Sequence, residues 1–390
     1  MHVAQKCEAV LRQRHAQKQR QTMSAEDDRR YMAEAIRFSR TNAGMTSSNP
    51  CVGCVIVRDG EIVGRGVTAA PTGRPHAEPQ ALADAGDKAR GATAYVTLEP
   101  CSHFGKTPPC ANALIEAGVA RVVVALTDPD PRVAGRGLSM LADAGIAVES
   151  GVLAKEAAYQ LAPYLTRQTK KRSHVTLKLA VSADGMIGVK GGGQVAITGL
   201  QARAEVHTLR AESDAILVGI GTALADDPEL TVRLPGMEHR SPLRIVLDRD
   251  LRLPLTSKLV QTARTVPVMV MGSKTDKSPE FLARREALAA AGVEVVEAET
   301  PLEVVTLLGE RGINGLIVEG GAQVAGAFLK AGLVDRIQLY EGPGVIGDGG
   351  IASPLTRSHI GEDFILVREA DFGPDHRFDY ERKDGCLPGS

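Results

Sequence analysis

Short apolar runs alternate with amphipathic stretches through the first part of the chain. A helical stripe at 31–38 precedes two strand-like runs, 53–58 and 61–66, which Asp59-Gly60 joins as a two-residue hairpin turn. Further helices are predicted at 76–85, 110–117 and 137–144, and further strands at 94–98, 121–126 and around 148. A hairpin followed by alternating helices and strands predicts a three-layer α/β domain over residues 26–150.

The same alternation returns from residue 173 to about residue 372. Apolar runs predict buried strands at 175–181, 215–219, 243–247, 267–271, 315–318 and 336–340. Helical patterns separate most of these runs, as at 200–210, 279–290 and 301–310. This pattern predicts a second α/β domain.

The segments outside these two domains are less regular. Residues 151–172 are expected to form a connector with a short helix, then Pro163, then a basic cluster at 170–172. Residues 1–25 are basic and polar and lack the apolar stretch of a secretory signal, so they are interpreted as a disordered extension with the working start nearer Met23. Residues 373–390 are charged and aperiodic and are expected to form a tail.

Composition limits the classes of partner. Lys plus Arg number 46 and Asp plus Glu 47, so the 390-residue chain carries a formal charge of −1. Balanced charge, no tryptophan and 3% aromatic residues argue against nucleic acid as the main partner. The longest apolar runs are far shorter than the roughly 20 residues of a membrane-spanning helix. The sequence therefore predicts a soluble cytoplasmic protein whose six cysteines are free thiols or metal ligands.

The first domain contains a set of residue types that bind zinc. His76-Ala77-Glu78 opens a predicted helix, Cys101 follows a predicted strand, and Cys110 opens the next helix. One imidazole and two thiolates fill three of zinc's four tetrahedral positions, which is typical of catalytic sites. Glu78 is not needed as a ligand and is placed to carry protons for a water molecule. Helix N-termini stabilise thiolates, which supports the assignment of the metal ligands as His76, Cys101 and Cys110.

Two alternatives remain open on the residues alone. In the first, the two cysteines are buried small apolar residues and the histidine is a surface cap. In the second, Cys51 and Cys54 join Cys101 and Cys110 in a closed, structural four-cysteine site. Against the second, Cys54 lies in an apolar run, where a free cysteine behaves as a core residue. A four-cysteine site also leaves the histidine and the glutamate unexplained.

The sequence around these residues resembles the bifunctional deaminase–reductase of riboflavin biosynthesis. The resemblance rests on Asn49-Pro50-Cys51-Val52-Gly53, on Thr97-Leu98-Glu99-Pro100-Cys101 with the insert before Cys110, and on Asp128-Pro129-Asp130-Pro131. It implies a cytidine-deaminase-like three-layer domain that hydrolyses an amine from a phosphoribosylated diaminopyrimidinone, giving an aminouracil, with Glu78 as the proton carrier.

The same resemblance assigns three further residues of the first domain. His103 is a candidate ligand on its chemistry, but the resemblance makes it a loop residue. Asn49 and Lys106 fall at substrate-pocket positions. From the residues alone, Asn49 is equally well a turn residue before Pro50, and Lys106 a solvated loop lysine.

Two glycine turns follow predicted strands of the second domain. Gly219-Ile220-Gly221-Thr222 is one, and Gly320-Gly321 is the other. The second leads into a predicted helix at 322–330, whose free N–H groups suit a phosphate. Neither turn is a G-x-G-x-x-G fingerprint, and most glycine turns are only turns, so the residues alone leave phosphate binding open.

The resemblance covers nearly all of residues 29–370. In the second domain it rests on Lys178-Leu-Ala-Val-Ser-Ala-Asp184-Gly185 and on the run 226–233. It implies a dihydrofolate-reductase-like α/β domain that uses NADPH to reduce the ribosyl chain to ribityl, and a homo-oligomer. Lys178 and Asp226 are candidates for proton handling or orientation.

Implied cofactor residues are Val181, Ala196, Thr222, Asp226, Gly321, Ala322, Gln323, Val324, Ala325, Gly326 and Ala327. Implied substrate residues are Gln194, Arg210, Leu230, Arg233 and Glu319. The sequence departs from the common family residues at Thr68, Ala162, Ala183, Gln194 and Ala196.

Three functions are compared on this basis. The main one is a two-activity enzyme of riboflavin synthesis. The others are a stand-alone base or nucleoside deaminase with a nucleotide-binding second domain, and a non-catalytic, zinc-stabilised regulatory protein. Glu78 favours an enzyme, because a structural zinc site needs no acid–base group. Arg210 and Arg233, which suit a phosphate, favour the two-activity enzyme together with the Gly320 turn.

Overall fold

The computed structural model of the protein describes residues 24–104, 108–191, 193 and 195–383. Over these residues the strands form two large sheets and one two-stranded ribbon. Each predicted α/β domain contains one of the large sheets, which confirms the α/β fold class. Within the same described ranges, no helix combines the length and the apolar character needed to cross a membrane.

The first sheet has the order β2-β1-β3-β4-β5 in the described part of the chain. Its strands are β1 (Gly53–Arg58), β2 (Glu61–Val67), β3 (Thr93–Val96), β4 (Arg121–Val124) and β5 (Ala147–Ser150). The helices of this half are α1 (Ala25–Ser39), α2 (Ala77–Ala85), α3 (Cys110–Ala117) and α4 (Arg136–Asp143). Strand β1 is antiparallel to β2 and β3, whereas β3, β4 and β5 are parallel.

The predicted hairpin turn and first helix are both present. Asp59 and Gly60 have φ angles of +52° and +81°, the left-handed pair that a two-residue hairpin loop requires. Helix α1 begins earlier than its apolar stripe, because Ser24 accepts a hydrogen bond from the Asp27 amide in a capping box. Its buried face, which includes Tyr31 and Met32, packs on the core of the first sheet.

The connector is one continuous helix, α5 (Ala154–Lys170), which contains Pro163. The expected break after a short helix at Pro163 is therefore wrong. A proline inside a helix costs about 3 kcal/mol. Here the helix buries Ala158, Leu161 and Leu165 against the first core, and that packing offsets the cost on both sides of the proline.

The second sheet has the order β11-β10-β9-β8-β12-β6-β13-β16-β15 over the described residues. Its strands are β6 (His174–Val181), β8 (Ala215–Gly219), β9 (Leu243–Leu247), β10 (Val268–Gly272), β11 (Glu294–Glu297), β12 (Gly315–Glu319), β13 (Arg336–Glu341), β15 (Phe364–Phe372) and β16 (Asp375–Arg382). Strands β7 (Met186–Val189) and β14 (Gly350–Ala352) form the separate ribbon. The helices are α6 (Leu200–Ala211), α7 (Ile220–Asp226), α8 (Lys258–Gln261), α9 (Pro279–Ala290), α10 (Pro301–Glu310) and α11 (Ala322–Lys330).

The expectation of a tail from residue 373 is wrong for residues 375–382. Strand β16 lies inside the second sheet, antiparallel to both β13 and β15. The strand was not predicted because its sequence is rich in charged residues, which usually face water. In the structure Arg377 and Asp379 are buried and paired with each other. Residues 384–390 lie outside the described residues, as do residues 1–23 of the expected extension.

Candidate active sites

Three local structures bring the predicted metal ligands together. His76 is the N-cap of α2, Cys101 follows β3 after a short loop, and Cys110 is the first residue of α3. The His76 Nδ1 atom lies 3.3 Å from the Cys110 Sγ and 3.7 Å from the Cys101 Sγ. The three ligand atoms lie within 4.8 Å of one another. One nitrogen and two sulfurs at this spacing fit a zinc ion with an open fourth position.

The thiols of this cluster have shifted proton affinities. Hydrogen bonding to Cys110, and then to His76, lowers the pKa of the Cys101 thiol to about 4. The contact with Cys101 raises the pKa of His76, and the same thiolate raises the pKa of Cys110. Any of these groups that holds a proton must lose it before it can act as a metal ligand.

Glu78 lies beside the ligands without joining them. It sits in the first turn of α2 and is 3% exposed. Burial, reinforced by the Cys101 thiolate, raises the pKa of its carboxyl group to about 7. A group that titrates near neutral pH can both accept and return a proton.

These residues line a cavity of about 320 Å³. His76, Glu78, Cys101 and Asn49 are among the residues that line it. Several of its lining side chains are polar, and its volume is large enough for a small ring. Lys106 was predicted at this pocket and lies outside the described residues.

His103 also lines the cavity but does not belong to the ligand cluster in the described part of the chain. Cys51 and Cys54 lie apart from it as well. The Cys51 thiol donates to the Ser39 carbonyl at 2.8 Å, and Cys54 is fully buried in β1. The geometry therefore supports the three-residue cluster over the closed four-cysteine alternative.

Glu99 has a role in this site that sequence reasoning missed. Its buried carboxylate accepts hydrogen bonds from the amides of Asp128, Gly135 and Gly137, at 3.2, 2.9 and 2.9 Å. Glu99 thus caps the start of α4 and holds the loop that follows β4. It lies two residues before the ligand Cys101, so these bonds also fix the chain next to the metal site. Gly137 allows this approach, because a Cβ there would lie 2.1 Å from the Pro100 carbonyl oxygen. The available signal in the sequence was an acidic residue two positions before a cysteine ligand.

A buried charged group of the second domain lies around Glu319, at the carboxyl end of strand β12. Lys178 in β6 pairs in register with Glu319 at the end of β12. Glu319 lies 3.6 Å from the Lys178 Nζ and 2.6 Å from an Arg210 nitrogen. Burial lowers the pKa of Lys178, whereas Arg210 and Lys178 together overcome burial and lower the pKa of Glu319.

The two predicted phosphate-binding arginines have different environments. Arg210 is 12% exposed, and its two terminal nitrogens contact Glu319 and the Thr231 carbonyl. Arg233 is 57% exposed and pairs only loosely with Glu229, at 3.2 Å. Arg210 is therefore committed to holding Glu319, and Arg233 is the more available of the two for a phosphate.

Two glycine-containing segments adjoin this charged group. Gly219-Ile220-Gly221-Thr222, expected to be a turn, is instead the N-cap and first turn of α7, whereas Gly320-Gly321 is a bend just before α11. The two segments follow the adjacent parallel strands β8 and β12. Gly320 and Gly321 have φ angles of +82° and +76°, and a Cβ on Gly321 would lie 3.0 Å from the Thr222 Oγ1. A Cβ on Gly221 would meet no heavy atom within 4 Å, so the space beside these two glycine segments is open. An open cradle at the start of α11 fits the phosphates of a dinucleotide.

The other predicted reductase residues differ in exposure. Asp226 ends α7, and burial raises the pKa of its carboxyl group. Gln194 lies outside the described residues. Side chains of the remaining set that are buried in the cores are Val181, Leu230 and Ala325. Exposed members are Ala196, Gln323 and Ala327, and intermediate ones are Ala322, Val324 and Gly326.

Comparison with known families divides the chain in the same way. Residues 25–126 match the family described as the cytidine and deoxycytidylate deaminase zinc-binding region. Residues 173–360 match the RibD C-terminal domain. The protein is thus a zinc-binding deaminase joined to a reductase.

Full-length relatives identify the family. The chain is 40% identical over 349 residues to the riboflavin biosynthesis protein RibD of Aquifex aeolicus, covering 89% of this chain and 95% of that one. It is 43% identical over 334 residues to the Escherichia coli protein of the same name, covering 82% and 89%. The chain belongs to the RibD family, as the sequence resemblance indicated.

Solved structures agree. Acinetobacter baumannii RibD has a TM-score of 0.80 at 37% identity, covering 93% of this chain and all of that one. A Thermotoga maritima protein named diaminohydroxyphosphoribosylaminopyrimidine deaminase/5-amino-6-(5-phosphoribosylamino)uracil reductase has a TM-score of 0.80 at 32% identity, covering 92% and 99%. The predicted cytidine-deaminase-like and reductase domains are confirmed. The protein is a bifunctional deaminase–reductase of riboflavin biosynthesis.

Proposed function

We propose that the protein first hydrolyses a phosphoribosylated diaminopyrimidinone to the aminouracil and ammonia, and then reduces the ribosyl chain of that product to ribityl with NADPH. The observation that carries the first step is buried Glu78 beside the convergent His76, Cys101 and Cys110 atoms. The second step is supported by the Lys178–Glu319–Arg210 group beside an open glycine cradle.

In the deaminase site, His76, Cys101 and Cys110 would hold zinc. When bound, zinc supplies Lewis-acid chemistry that makes water a nucleophile near neutral pH. Glu78 takes a proton from the attacking water and passes it to the ring nitrogen. It then takes the second proton from the oxygen now bound to the ring carbon and delivers it to the departing amine. The ring carbon gains an oxygen as its bond to nitrogen breaks, so ammonia is released.

The walls of the same cavity would select the substrate. Asn49 is proposed to contact the pyrimidine, with Lys106 serving the phosphoribosyl group. A small phosphorylated ring also agrees with the balanced charge of the chain.

In the reductase site, the start of α7 at Gly219–Thr222, the Gly320–Gly321 bend and the start of α11 would hold the cofactor. When bound, NADPH supplies a hydride. The sugar must be ring-opened to present an electrophilic carbon. Lys178, desolvated and held by Glu319, is proposed to orient the substrate and provide the accompanying proton, and Asp226 to orient the reacting groups. Arg233 would bind the phosphate, with Gln194 and Leu230 forming the rest of the substrate wall.

The two alternative functions fit less well. A non-catalytic zinc protein does not account for a buried acid beside three ligands. A stand-alone deaminase does not account for the buried Lys178–Glu319–Arg210 group. We further propose that the enzyme works in the cytoplasm as a homo-oligomer, which light scattering of the purified protein and cell fractionation would test.

The direct test is incubation of purified protein with the diaminopyrimidinone phosphate, with and without NADPH, followed by mass analysis. Ammonia and the aminouracil are expected without NADPH, and the ribityl product only with it. Failure to form the aminouracil would refute the first step. Formation of the aminouracil without any ribityl product would refute the second.

A further inference from the structure

The turn at residues 46–49 lies between α1 and β1 and reaches the deaminase cavity through Asn49. The Asn49 amide donates to the Thr46 carbonyl at 3.2 Å, and the Thr46 hydroxyl donates to the Asn49 carbonyl at 2.8 Å. Ser47 has a φ of +54°, in the left-handed region that residues other than glycine rarely adopt. The turn therefore depends on contacts beyond its own sequence to keep this conformation.

Those contacts come from outside the deaminase fold. Arg167 on α5 donates to the Ser48 carbonyl at 2.6 Å. Asn314, immediately before β12 of the reductase half, donates from Nδ2 to the Ser47 carbonyl at 3.0 Å. Two consecutive carbonyls of the strained turn are thus held by the connector and by the second domain.

Both donors are themselves fixed. The Asn314 Oδ1 accepts from the Arg167 Nε at 2.6 Å, which sets the orientation of the amide. The Asn314 backbone amide donates to the Asp214 carboxylate at 3.1 Å, and the residue is 6% exposed. Because neither side chain can rotate without losing a partner, the pair forms a rigid brace for the turn.

We propose that Arg167 and Asn314 are positioning residues for deamination: they hold the turn 46–49, and thereby Asn49, in the geometry that receives the substrate. The deaminase site is then completed by residues that lie outside the deaminase domain. The inference rests on the proposed function in one respect, namely that Asn49 contacts the pyrimidine substrate.

The first test is Arg167→Met, which removes both donated bonds and keeps an apolar stem. The KM for the diaminopyrimidinone phosphate should rise about 10-fold, because the two lost hydrogen bonds keep Asn49 in position to contact the substrate. The kcat should stay within about 2-fold, because the zinc ligands and Glu78 belong to other elements. Arg167→Lys keeps one donor and should give an intermediate KM. Zinc content and NADPH-dependent reduction of the deaminated intermediate should not change.

Arg240 provides a matched control. It extends from the reductase half and donates to the Thr41 and Ala43 carbonyls, at 3.1 and 2.7 Å, just before the turn. Arg240→Met should leave the KM near that of the parent protein. An equal rise in both variants would mean general loosening between the domains and would overturn the proposal. An unchanged KM in Arg167→Met would overturn it too.

Amide hydrogen exchange of the full chain gives a readout that does not need the substrate. Exchange at the amides of residues 46–49 should accelerate in Arg167→Met and not in Arg240→Met. If the parent protein failed to deaminate, the proposed function would be wrong, yet this measurement would still test the brace. Equal exchange in the parent and in Arg167→Met would show that the turn holds itself.

Discussion

The deaminase and reductase sites of this protein are built in different ways. The deaminase groups come from two short stretches of sequence, 76–78 and 101–110. The first stretch contains the start of α2, and the second ends at the start of α3. The reductase groups come from three distant elements, β6, α6 and β12, and meet as a buried ion group around Glu319. The first arrangement is a set of metal ligands. The second is a set of charged side chains that pair with one another. Removing one group should therefore have different consequences in the two sites.

The largest difference is expected from the metal ligands. Cys110→Ala removes one of three ligands, so zinc should be lost and deamination should fall below detection. Reduction of the deaminated intermediate should continue, because its groups lie on the other sheet. Metal analysis and two separate activity assays check this. A variant that keeps one zinc per chain would show that Cys110 is not a ligand.

The second largest effect should come from Glu78→Gln. The change keeps the side chain's size and removes the proton carrier, so deamination should fall by about 10² to 10⁴. Zinc content should stay at the parent level, which separates this variant from the ligand variants. Near-normal ammonia release would exclude Glu78 from the mechanism.

Glu319→Gln tests the reductase side of the comparison. It leaves Lys178 and Arg210 as two buried cations without their anion. The free energy of unfolding should fall by about 3 kcal/mol, and the rate of substrate reduction should fall by more than about 10-fold. The pKa of Glu319 is lowered on folding, so its contribution is present above its unfolded pKa and is lost as the pH falls. Denaturation across pH and steady-state reduction measure both effects.

The control for that variant is Glu205→Gln, which breaks another partly buried pair, with Arg377 at 2.6 Å. It should lower stability without changing the KM for the reductase substrate. If both variants lost reduction equally, the effect would be one of folding and not of the site.

Arg233→Ala should have a smaller effect that depends on the phosphate. The reductase KM should rise about 10-fold for the phosphorylated intermediate and not for its dephosphorylated form, because one charge-assisted contact is lost. Arg203→Ala, an exposed arginine on α6, is the control. Equal KM values for both forms of the substrate in the parent protein would remove Arg233 from phosphate recognition.

The smallest effect is expected at the cysteines outside the cluster. Cys51→Ser and Cys54→Ala should keep one zinc per chain, because the Cys51 thiol bonds to the Ser39 carbonyl and Cys54 is a core residue. Elemental analysis of both variants is sufficient. Loss of zinc in both would restore the four-cysteine alternative.

The parts of this molecule that could be predicted from sequence are those with local patterns. The hairpin at Asp59-Gly60 follows from the residues at the turn, and the ligand cluster follows from residue types at helix starts. Strand β16 could not be predicted in that way, because Arg377 and Asp379 are charged residues that become buried only when β16 lies between β13 and β15.

Residues that act across long separations were missed for the same reason. Nothing in the sequence near Asn314 points to the Ser47 carbonyl, which lies 267 residues away along the chain. The commitment of Arg210 to Glu319 likewise depends on how α6 packs beside β12. Such contacts depend on how distant elements pack in the folded protein. A sequence motif describes only residues that are close together along the chain.

The interior position of β16 has a consequence for the order in which the protein forms during synthesis. The first sheet is complete once β5 has left the ribosome, and the deaminase core can pack once α5, which also contributes to it, has followed. The second sheet has a gap between β13 and β15 until residues 375–382 emerge, so its edge at β13 stays unpaired while nearly the whole chain is already outside. The two halves of this enzyme are therefore expected to mature one after the other, with the later half needing protection from aggregation.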